Sequence, residues 1–435
     1  MKRGEMKTNL VTDLIGSKKI IIYGAGRIGK QVLLALRPCG RTPEFFWDKN
    51  AATIGASIDD VSIFEPNFDF IPQNLRNEYS VIITVAAKDV GRRIGNDLAS
   101  LDYNVIYDRE TINTFIYKTC EVAVADGTFV FNLETCRTCP VPTTDGQASC
   151  DIFNGYLVNL AGGAESTQTK AEKLIIPRLG LLIGNKCNLC CNGCNHLVDL
   201  YKPGEAQFLK TSDLLYDIAR VSKEADLINK VVVVGGEAFL HPDLQEILRR
   251  LLDLPKIGFV QIITNGAVKP KDPSLFKLLG NERIIVEISG YGSELSARLS
   301  QSVQEFQAQL REYNVSHHYL GTLQWFDFGN FSKRPYSEAE HKRVYETCCS
   351  VSNDIWDGRL YKCSRSAIGT HLGHLPDFHG DYVDLRQHSG AELRQKLIQF
   401  FENKGPEACL HCNGASSTSV IEAGKQVPRF QIHQQ

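Results

Sequence analysis

No apolar run in the 435 residues approaches the roughly 18 needed to cross a bilayer as a helix, so no membrane span is expected. The amino-terminal stretch MKRGEMKTNLVTDLIGSKK is basic but lacks an apolar core, which argues against secretion and for a cytoplasmic protein. An excess of charge is missing too: 48 Lys plus Arg face 50 Asp plus Glu, a net charge of −2. Proteins that coat nucleic acid or dock on anionic membranes need a basic surplus, so neither partner is expected. With 43% hydrophobic and 23% charged residues, the chain also lacks the polar bias of a disordered one. At roughly 150 residues per domain, its length corresponds to two to four domains. What it has in quantity is cysteine, 14 in all. Without a secretory signal, cysteines read as metal ligands or catalytic thiols before disulfides.

The hydrophobic pattern divides the chain. Residues 18–36, KKIIIYGAGRIGKQVLLAL, give a β-rich run, a glycine turn and helical spacing at Ile28, Val32 and Leu36. Phe45-Phe46-Trp47 ending at Asp48, VIITVAA at 81–87 and NVIY at 104–107 add strands. Strands alternating with helices predict a parallel, doubly wound Rossmann-like sheet over 1–118. Residues 119–172 read as a cysteine-containing connector. From 173 to 340 the alternation restarts with LGLLIG, KVVVVGGEAF, GFVQIITNG, RIIVEISGYG and HHYLGTL, which predicts a full or partial β/α barrel with its chemistry at the strand ends. Residues 341–420 are short-stranded and cysteine-bearing, a small metal-bound domain, and 421–435 read as a loosely ordered tail.

Directly after the first strand of the second repeat stands Cys187-Asn188-Leu189-Cys190-Cys191-Asn192-Gly193-Cys194. Cys187, Cys191 and Cys194 give C-x3-C-x2-C. Three thiolates on a tight loop can hold three irons of a 4Fe–4S cube and leave the fourth iron open for a reacting ligand. A zinc knuckle or buried thiols are the alternative, but zinc ligands recur in x2–x4 pairs rather than in this triplet. The segment resembles the signature of the radical S-adenosylmethionine (SAM) enzymes. That resemblance implies an α/β fold with a partial (β/α)6 barrel, a cluster on these three cysteines, SAM chelated to the open iron, and a one-electron donor such as flavodoxin or ferredoxin. Gly235-Gly236-Glu237, at the end of the second barrel strand, matches the family's GGE motif, which contacts the methionyl amino group; glycines admit close approach and a carboxylate suits an ammonium. Thr264, Asn265 and Ser289 end the next two strands, where relatives contact the SAM carboxylate or ribose, although polar residues also cap turns there. One departure is Gly193, where the family usually carries an aromatic beside the adenine.

Cys348, Cys363, Cys409 and Cys412 lie beyond the barrel, arranged as Cys348-x9-Gly358-x4-Cys363 and a later C-x2-C. This is similar to the SPASM/Twitch appendages of radical SAM enzymes and implies one auxiliary 4Fe–4S cluster, with Cys349 as an alternative to Cys348 and zinc on the same thiolates as the competing reading. Cys120, Cys136, Cys139 and Cys150 in the connector match no known pattern, and free thiols or a local zinc outweigh a third cluster there.

Gly24-Ala25-Gly26-Arg27-Ile28-Gly29 sits between a strand and a helix, with Asp48 closing the next strand. That context fits a dinucleotide fingerprint: glycines for the turn, a helix N-terminus for phosphate, an acid for ribose. An empty Rossmann-like pocket is the alternative. FFWDKNAATIG also resembles the N-terminal domains of sugar-modifying acetyltransferases, which bind nucleotide sugars, over about 1–66. Three functions compete: a radical SAM enzyme acting on a carbohydrate or nucleotide-sugar by epimerisation, dehydration or oxidation; a radical SAM peptide maturase; and a non-enzymatic metal-stapled binding protein. The Rossmann-like domain stands where maturases often carry a winged helix, which favours the first.

Overall fold

The computed structural model describes residues 16, 18–85, 88–125, 174–202, 204–322, 325–346, 348, 352–415 and 420–428. Cys136, Cys139 and Cys150 of the connector, and Cys349, lie outside the described residues. The chain divides into two compact units, Met1–Tyr156 and Leu157–Gln435.

In the first unit, β1 (Lys19–Tyr23), β2 (Phe45–Trp47), β3 (Ser57–Ile58), β4 (Val61–Phe64), β5 (Tyr79–Ile83) and β6 (Asn104–Ile106) form one sheet in the order β3-β4-β2-β1-β5-β6. Every neighbouring pair is parallel except β3 with β4. The chain thus winds outward from β1 to β4 and crosses back to β5, the order of a doubly wound sheet. Alternate side chains of β1 enter opposite cores. Ile20 and Ile22 pack with Val32 and Leu36 of α1 (Arg27–Leu36), whereas Ile21 packs with Trp47, Val81 and Leu98, the last from α2 (Lys88–Ala99). Burial on both faces is why these strands read as unbroken apolar runs. α3 (Arg109–Ala125) carries the helix past residue 118, because Ile112, Phe115 and Ile116 join the α1 core and the same helix then runs on through Cys120.

The second unit begins with β7 (Ile175–Ile176) and β8 (Leu179–Leu182) and continues through β9 (Leu227–Val234), β10 (Ile257–Thr264), β11 (Ile284–Gly290) and β12 (His317–Thr322), all in parallel pairing. Between them lie α4 (Thr211–Glu224), α5 (Leu244–Leu252), α6 (Pro273–Leu279) and α7 (Ser293–Glu312). Leu244, Ile247, Leu248 and Leu251 turn one face of α5 into the core, as their i, i+3, i+4, i+7 spacing requires.

Residues past 340 do not stand apart from this sheet. After β13 (Trp325–Phe326) and α8 (Glu338–Glu346), the hairpin of β14 (Asp354–Trp356) and β15 (Arg359–Tyr361) turns at Asp357-Gly358, and β14 pairs in parallel with β8. α9 (Ser364–His371), β16 (Tyr382–Asp384), α10 (Gly390–Glu402) and β17 (Val420–Ile421) follow. The sheet therefore runs β12-β11-β10-β9-β8-β14-β15-β16. The physical reason is apolar surface: Ile355, Leu360, Val383 and Leu397 are buried in the same core as the β8–β11 strands. A polar clamp fixes the join. Asp217 of α4, 1% exposed, accepts from Arg386 Nε and Nη2, both at 2.9 Å, and from Gly358 N at 2.9 Å.

Asp217→Ala would leave the Gly358 amide and the half-exposed Arg386 guanidinium without that acceptor, so a loss of about 1–3 kcal/mol is expected from denaturant titration. Asp357→Ala, which removes an exposed partner of the same arginine at 3.2 Å, should cost less than about 1 kcal/mol. Equal losses in the two variants would show that the clamp at α4 is not what secures the hairpin.

Candidate functional site

The loop leaving β8 is held by its backbone before it reaches the cysteines. Gly236 N donates to Gly184 O at 3.0 Å and Glu237 N to Lys186 O at 2.8 Å, while Asn185 Oδ1 accepts from Gln207 N at 2.6 Å. Cys187, Cys191 and Cys194 then face one cavity of about 270 Å³ whose walls include Gly235, Gly236, Thr264, Asn265 and Ser289. The residues that end β9, β10 and β11 are thus gathered with the three thiols on one side of the sheet. Burial pushes the Cys191 thiol up to about 11 and that of Cys194 up to about 12. Such thiols are protonated at neutral pH, and binding a metal would displace the protons. Among the described residues no three His, Cys, Asp or Glu side chains converge on a point where a single ion would sit. The thiols instead wall a space, which suits a polynuclear cluster with one sulfur on each corner iron.

Glu237 follows the glycine pair at the end of β9. Its carboxylate is 1% exposed and held by protein donors. Oε1 accepts from Thr264 Oγ1 at 2.7 Å and Phe239 N at 3.1 Å, and Oε2 from Asn265 N at 2.9 Å. Burial raises its pKa while these donors pull it back. Asn265 passes the order on, donating from Nδ2 to Asn188 Oδ1 at 2.8 Å inside the cysteine loop. The adjacent glycine has a reason of its own. A Cβ on Gly236 would lie 2.0 Å from Lys186 O, so the residue admits the start of the cysteine loop as well as lining the cavity.

The segment after 420, expected as a loose tail, is ordered through residue 428 and lies on the cysteine loop. β17 pairs antiparallel with β13, Asn192 N donates to Lys425 O at 2.8 Å, and Val427 N donates to Cys190 O at 2.8 Å. This explains Gly193: at φ +67° it takes the left-handed conformation, and a Cβ there would come within 2.4 Å of Ile421 Cδ1. A side chain at 193 would be strained by that φ and would require the end of the Ile421 side chain to shift. The aromatic lining of the cavity comes from Tyr291, Trp325, Phe326 and Phe328 instead.

Cys348, Cys363, Cys409 and Cys412 wall a second, smaller cavity of about 40 Å³. Cys363 caps α9, its sulfur accepting from Ser366 N at 3.4 Å, and Cys412 Sγ accepts from Gly414 N at 3.3 Å. The buried Asp381 carboxylate holds the turn carrying Cys409, accepting from Glu407 N and Ala408 N, both at 2.7 Å. Burial raises the thiol pKa of Cys363, Cys409 and Cys412. Two cations line this cavity. Arg365 stacks 3.9 Å from the Phe331 ring centre, and burial pulls the Lys362 amine down to about 8. Zinc would need all four sulfurs about 2.3 Å from one point; among the described residues no such single-ion site is formed. Asn195 and Phe328 belong to the walls of both cavities.

In the first unit, Gly24 and Gly26 lie in the turn from β1 into α1, with Gly26 at the helix N-cap, and Gly29 stands in the first turn of α1. Asp48 ties that turn to β2, accepting from Ala25 N through Oδ2 and from Asn50 N through Oδ1, each at 2.8 Å. Its carboxylate thus orders the glycine loop.

Local sequence reading missed the residues that arrive from far along the chain: Trp325 and Phe328 in the cavity wall, and Gln426, whose amide contacts Cys190 and Cys191. No periodicity or spacing near residue 426 signals this.

The Gly236 contact yields a test. Gly236→Val should displace Lys186 and with it Cys187, so protein reconstituted with iron and sulfide should hold less than about half of the iron bound by Cys187, Cys191 and Cys194. Full iron with weakened SAM binding, read by calorimetry, would mean that the glycine serves the cavity alone.

Residues 181–314 match the family described as the Radical SAM superfamily. Among curated proteins, the chain is similar to GTP 3′,8-cyclase of Aquifex aeolicus, 26% identical over 121 residues, 28% of this chain and 38% of that one. It is similar also to the probable GTP 3′,8-cyclase of Saccharolobus islandicus, 32% identical over 124 residues, again 28% and 38% of the two chains. The aligned stretch therefore spans less than two fifths of either relative. Solved structures to which the chain is similar include native anSMEcpe with bound AdoMet, at 17% identity, TM-score 0.35 and coverage of 52% of this chain and 83% of that one. BtrN in complex with AdoMet and 2-DOIA is another, at 12% identity and TM-score 0.34, covering 59% and 98%. Parallel βα units, three cysteines at the end of the first strand and a glycine pair at the end of the next coincide within the matched stretch, so residues 181–314 form a domain that matches the Radical SAM superfamily.

Proposed function

We propose that this chain is a radical SAM enzyme that removes a hydrogen atom from a carbohydrate or nucleotide-sugar, within a partial barrel formed by β8–β12 and their helices. The observation that carries this reading is the single cavity shared by Cys187, Cys191, Cys194, the Gly235-Gly236 strand end, Thr264, Asn265 and Ser289. When bound there, a 4Fe–4S cluster and SAM supply the reductive cleavage of SAM to methionine and a 5′-deoxyadenosyl radical, chemistry that belongs to the cofactors.

The protein's own residues bind, orient and exclude. The thiolates of Cys187, Cys191 and Cys194 would hold the cluster. Gly235 and Gly236 present bare backbone to that site, and Asn265, fixed by Ala267 N on Oδ1 and by Asn188 on Nδ2, offers a pre-set amide edge. Tyr291, Trp325, Phe326 and Phe328 give the cavity an apolar wall that keeps water from a reactive intermediate. Cys348, Cys363, Cys409 and Cys412 would ligate one auxiliary 4Fe–4S cluster, a closed four-thiolate site beside two buried cations, with an external one-electron donor such as flavodoxin or ferredoxin. The SPASM/Twitch resemblance and the four-thiol chamber support that cluster over zinc.

A nucleotide-bearing substrate is favoured by the doubly wound first unit, whose glycine turn lies at the N-terminus of α1, where phosphate is well received. The curated relatives are named for a reaction on a nucleotide, GTP.

Anaerobic reconstitution followed by dithionite and SAM should release 5′-deoxyadenosine, and a nucleotide-sugar panel in deuterated water, read by mass spectrometry, should identify a substrate. Replacing Cys187, Cys191 and Cys194 together by alanine is expected to remove about half of the iron and all 5′-deoxyadenosine. Cys363→Ala should lower the remaining, auxiliary iron. Undiminished SAM cleavage in the triple variant would defeat the assignment, and turnover with a peptide but no nucleotide sugar would replace the substrate class.

A further inference from the structure

Gln426 lies 235 residues beyond Cys191, yet both ends of its amide engage the cysteine loop. Nε2 donates to Cys191 Sγ at 2.9 Å and to Gly424 O at 2.8 Å, while Oε1 accepts from Cys190 N at 3.1 Å. The amide orientation is fixed by the chemistry of its partners. Cys190 N–H can only donate, so it must face Oε1, and Gly424 O can only accept, so it must face Nε2. The backbone on either side is pinned as well, through Asn192 N to Lys425 O and Val427 N to Cys190 O. The N–H that reaches the sulfur is therefore held in place before any metal arrives.

A sulfur that ligates iron carries negative charge, and that charge grows when its cluster accepts an electron. A donor aimed at the sulfur stabilises the reduced state more than the oxidised one, and hydrogen bonds to sulfur are among the controls on iron–sulfur potentials. Cys191 is 7% exposed, so water is a poor substitute for the lost donor.

We propose that Gln426 is a positioning residue for the three-cysteine centre, which orders the loop through Cys190 and raises the reduction potential of the cluster held by Cys187, Cys191 and Cys194 through its hydrogen bond to the Cys191 sulfur. The inference rests on the radical SAM reading of that site. One electron enters from an external donor, dithionite in the experiment, and no bond in the protein is made or broken.

The test compares Gln426→Glu and Gln426→Leu with the unaltered full chain, each reconstituted anaerobically. Iron content is measured, and the midpoint potential is followed by electron paramagnetic resonance on the signal that changes when SAM is added. Glutamate keeps an oxygen for Cys190 N and removes the donor to sulfur. It should retain the iron and shift the reduced-to-oxidised ratio at fixed potential by at least about tenfold toward oxidised, about 59 mV for a one-electron couple. Leucine removes both contacts and should lower the midpoint as well, with faster loss of iron to a chelator. An unchanged midpoint in Gln426→Glu with full iron would overturn the inference alone. Loss of iron in both variants with far-UV circular dichroism intact would make the residue a latch for the loop and overturn the tuning. Absence of any SAM-sensitive signal in the unaltered protein would instead overturn the radical SAM reading, and this inference with it.

Discussion

The carboxylate of Glu237 is buried at the point where three strand ends meet, and the arrangement of the cysteine loop depends on it. A carboxylate taken out of water costs several kcal/mol unless its oxygens are met by donors. Here Thr264 Oγ1, Phe239 N and Asn265 N meet them, so the end of β9 is fixed to the end of β10. The neighbouring peptide groups of Gly236 and Glu237 hold Gly184 and Lys186, which fixes the exit of β8. The cysteine loop starts one residue later. Its first sulfur is consequently placed by backbone that cannot move independently of the sheet, and Asn265 adds a direct link to Asn188. Rigid support of this kind is what a site needs when its ligands must hold a reactive centre to within a fraction of an ångström.

Closure of the site comes from the other end of the chain. The residues beyond 340 extend the same sheet through β14, β15 and β16, bring four thiols to the wall of a second cavity, and return as β17 over the first. Asn195 follows Cys194 and lines both chambers, as does Phe328. The two thiol clusters therefore belong to one piece of architecture, with the apolar core under β8 to β15 as its common base.

The first unit is built on its own principle. Its central strand β1 sends alternate side chains into two separate cores, and its glycine turn is tied down by Asp48 and by Thr84, whose hydroxyl donates to Gly24 O at 2.9 Å. Neighbouring Trp47, Phe68 and Tyr103 pack edge to face, with Trp47 ring centres 5.6 Å from Phe68 and 6.0 Å from Tyr103. Such contacts fill this face of the sheet together with Ile94 and Leu98 of α2.

Sequence alone determined whatever depends on neighbours a few residues apart. Apolar runs such as VVVV before Gly235 and the Leu244–Leu252 periodicity fixed strands and helices, and the spacing of Cys187, Cys191 and Cys194 marked the loop that carries them. The tertiary structure alone decided which way Glu237 faces, because a carboxylate beside two glycines suits a ligand ammonium or buried amides equally well until the strand ends are assembled around it. It also decided that residues 420–427 lie against the cysteine loop and that Gly193 takes a left-handed conformation beside Ile421. Those outcomes arise from hydrogen bonds and contacts between segments more than 200 residues apart, Cys191 to Gln426 and Gly193 to Ile421. A periodicity cannot encode such pairings, since each partner is locally an ordinary polar or apolar residue and acquires its role only when the second unit brings the two segments together.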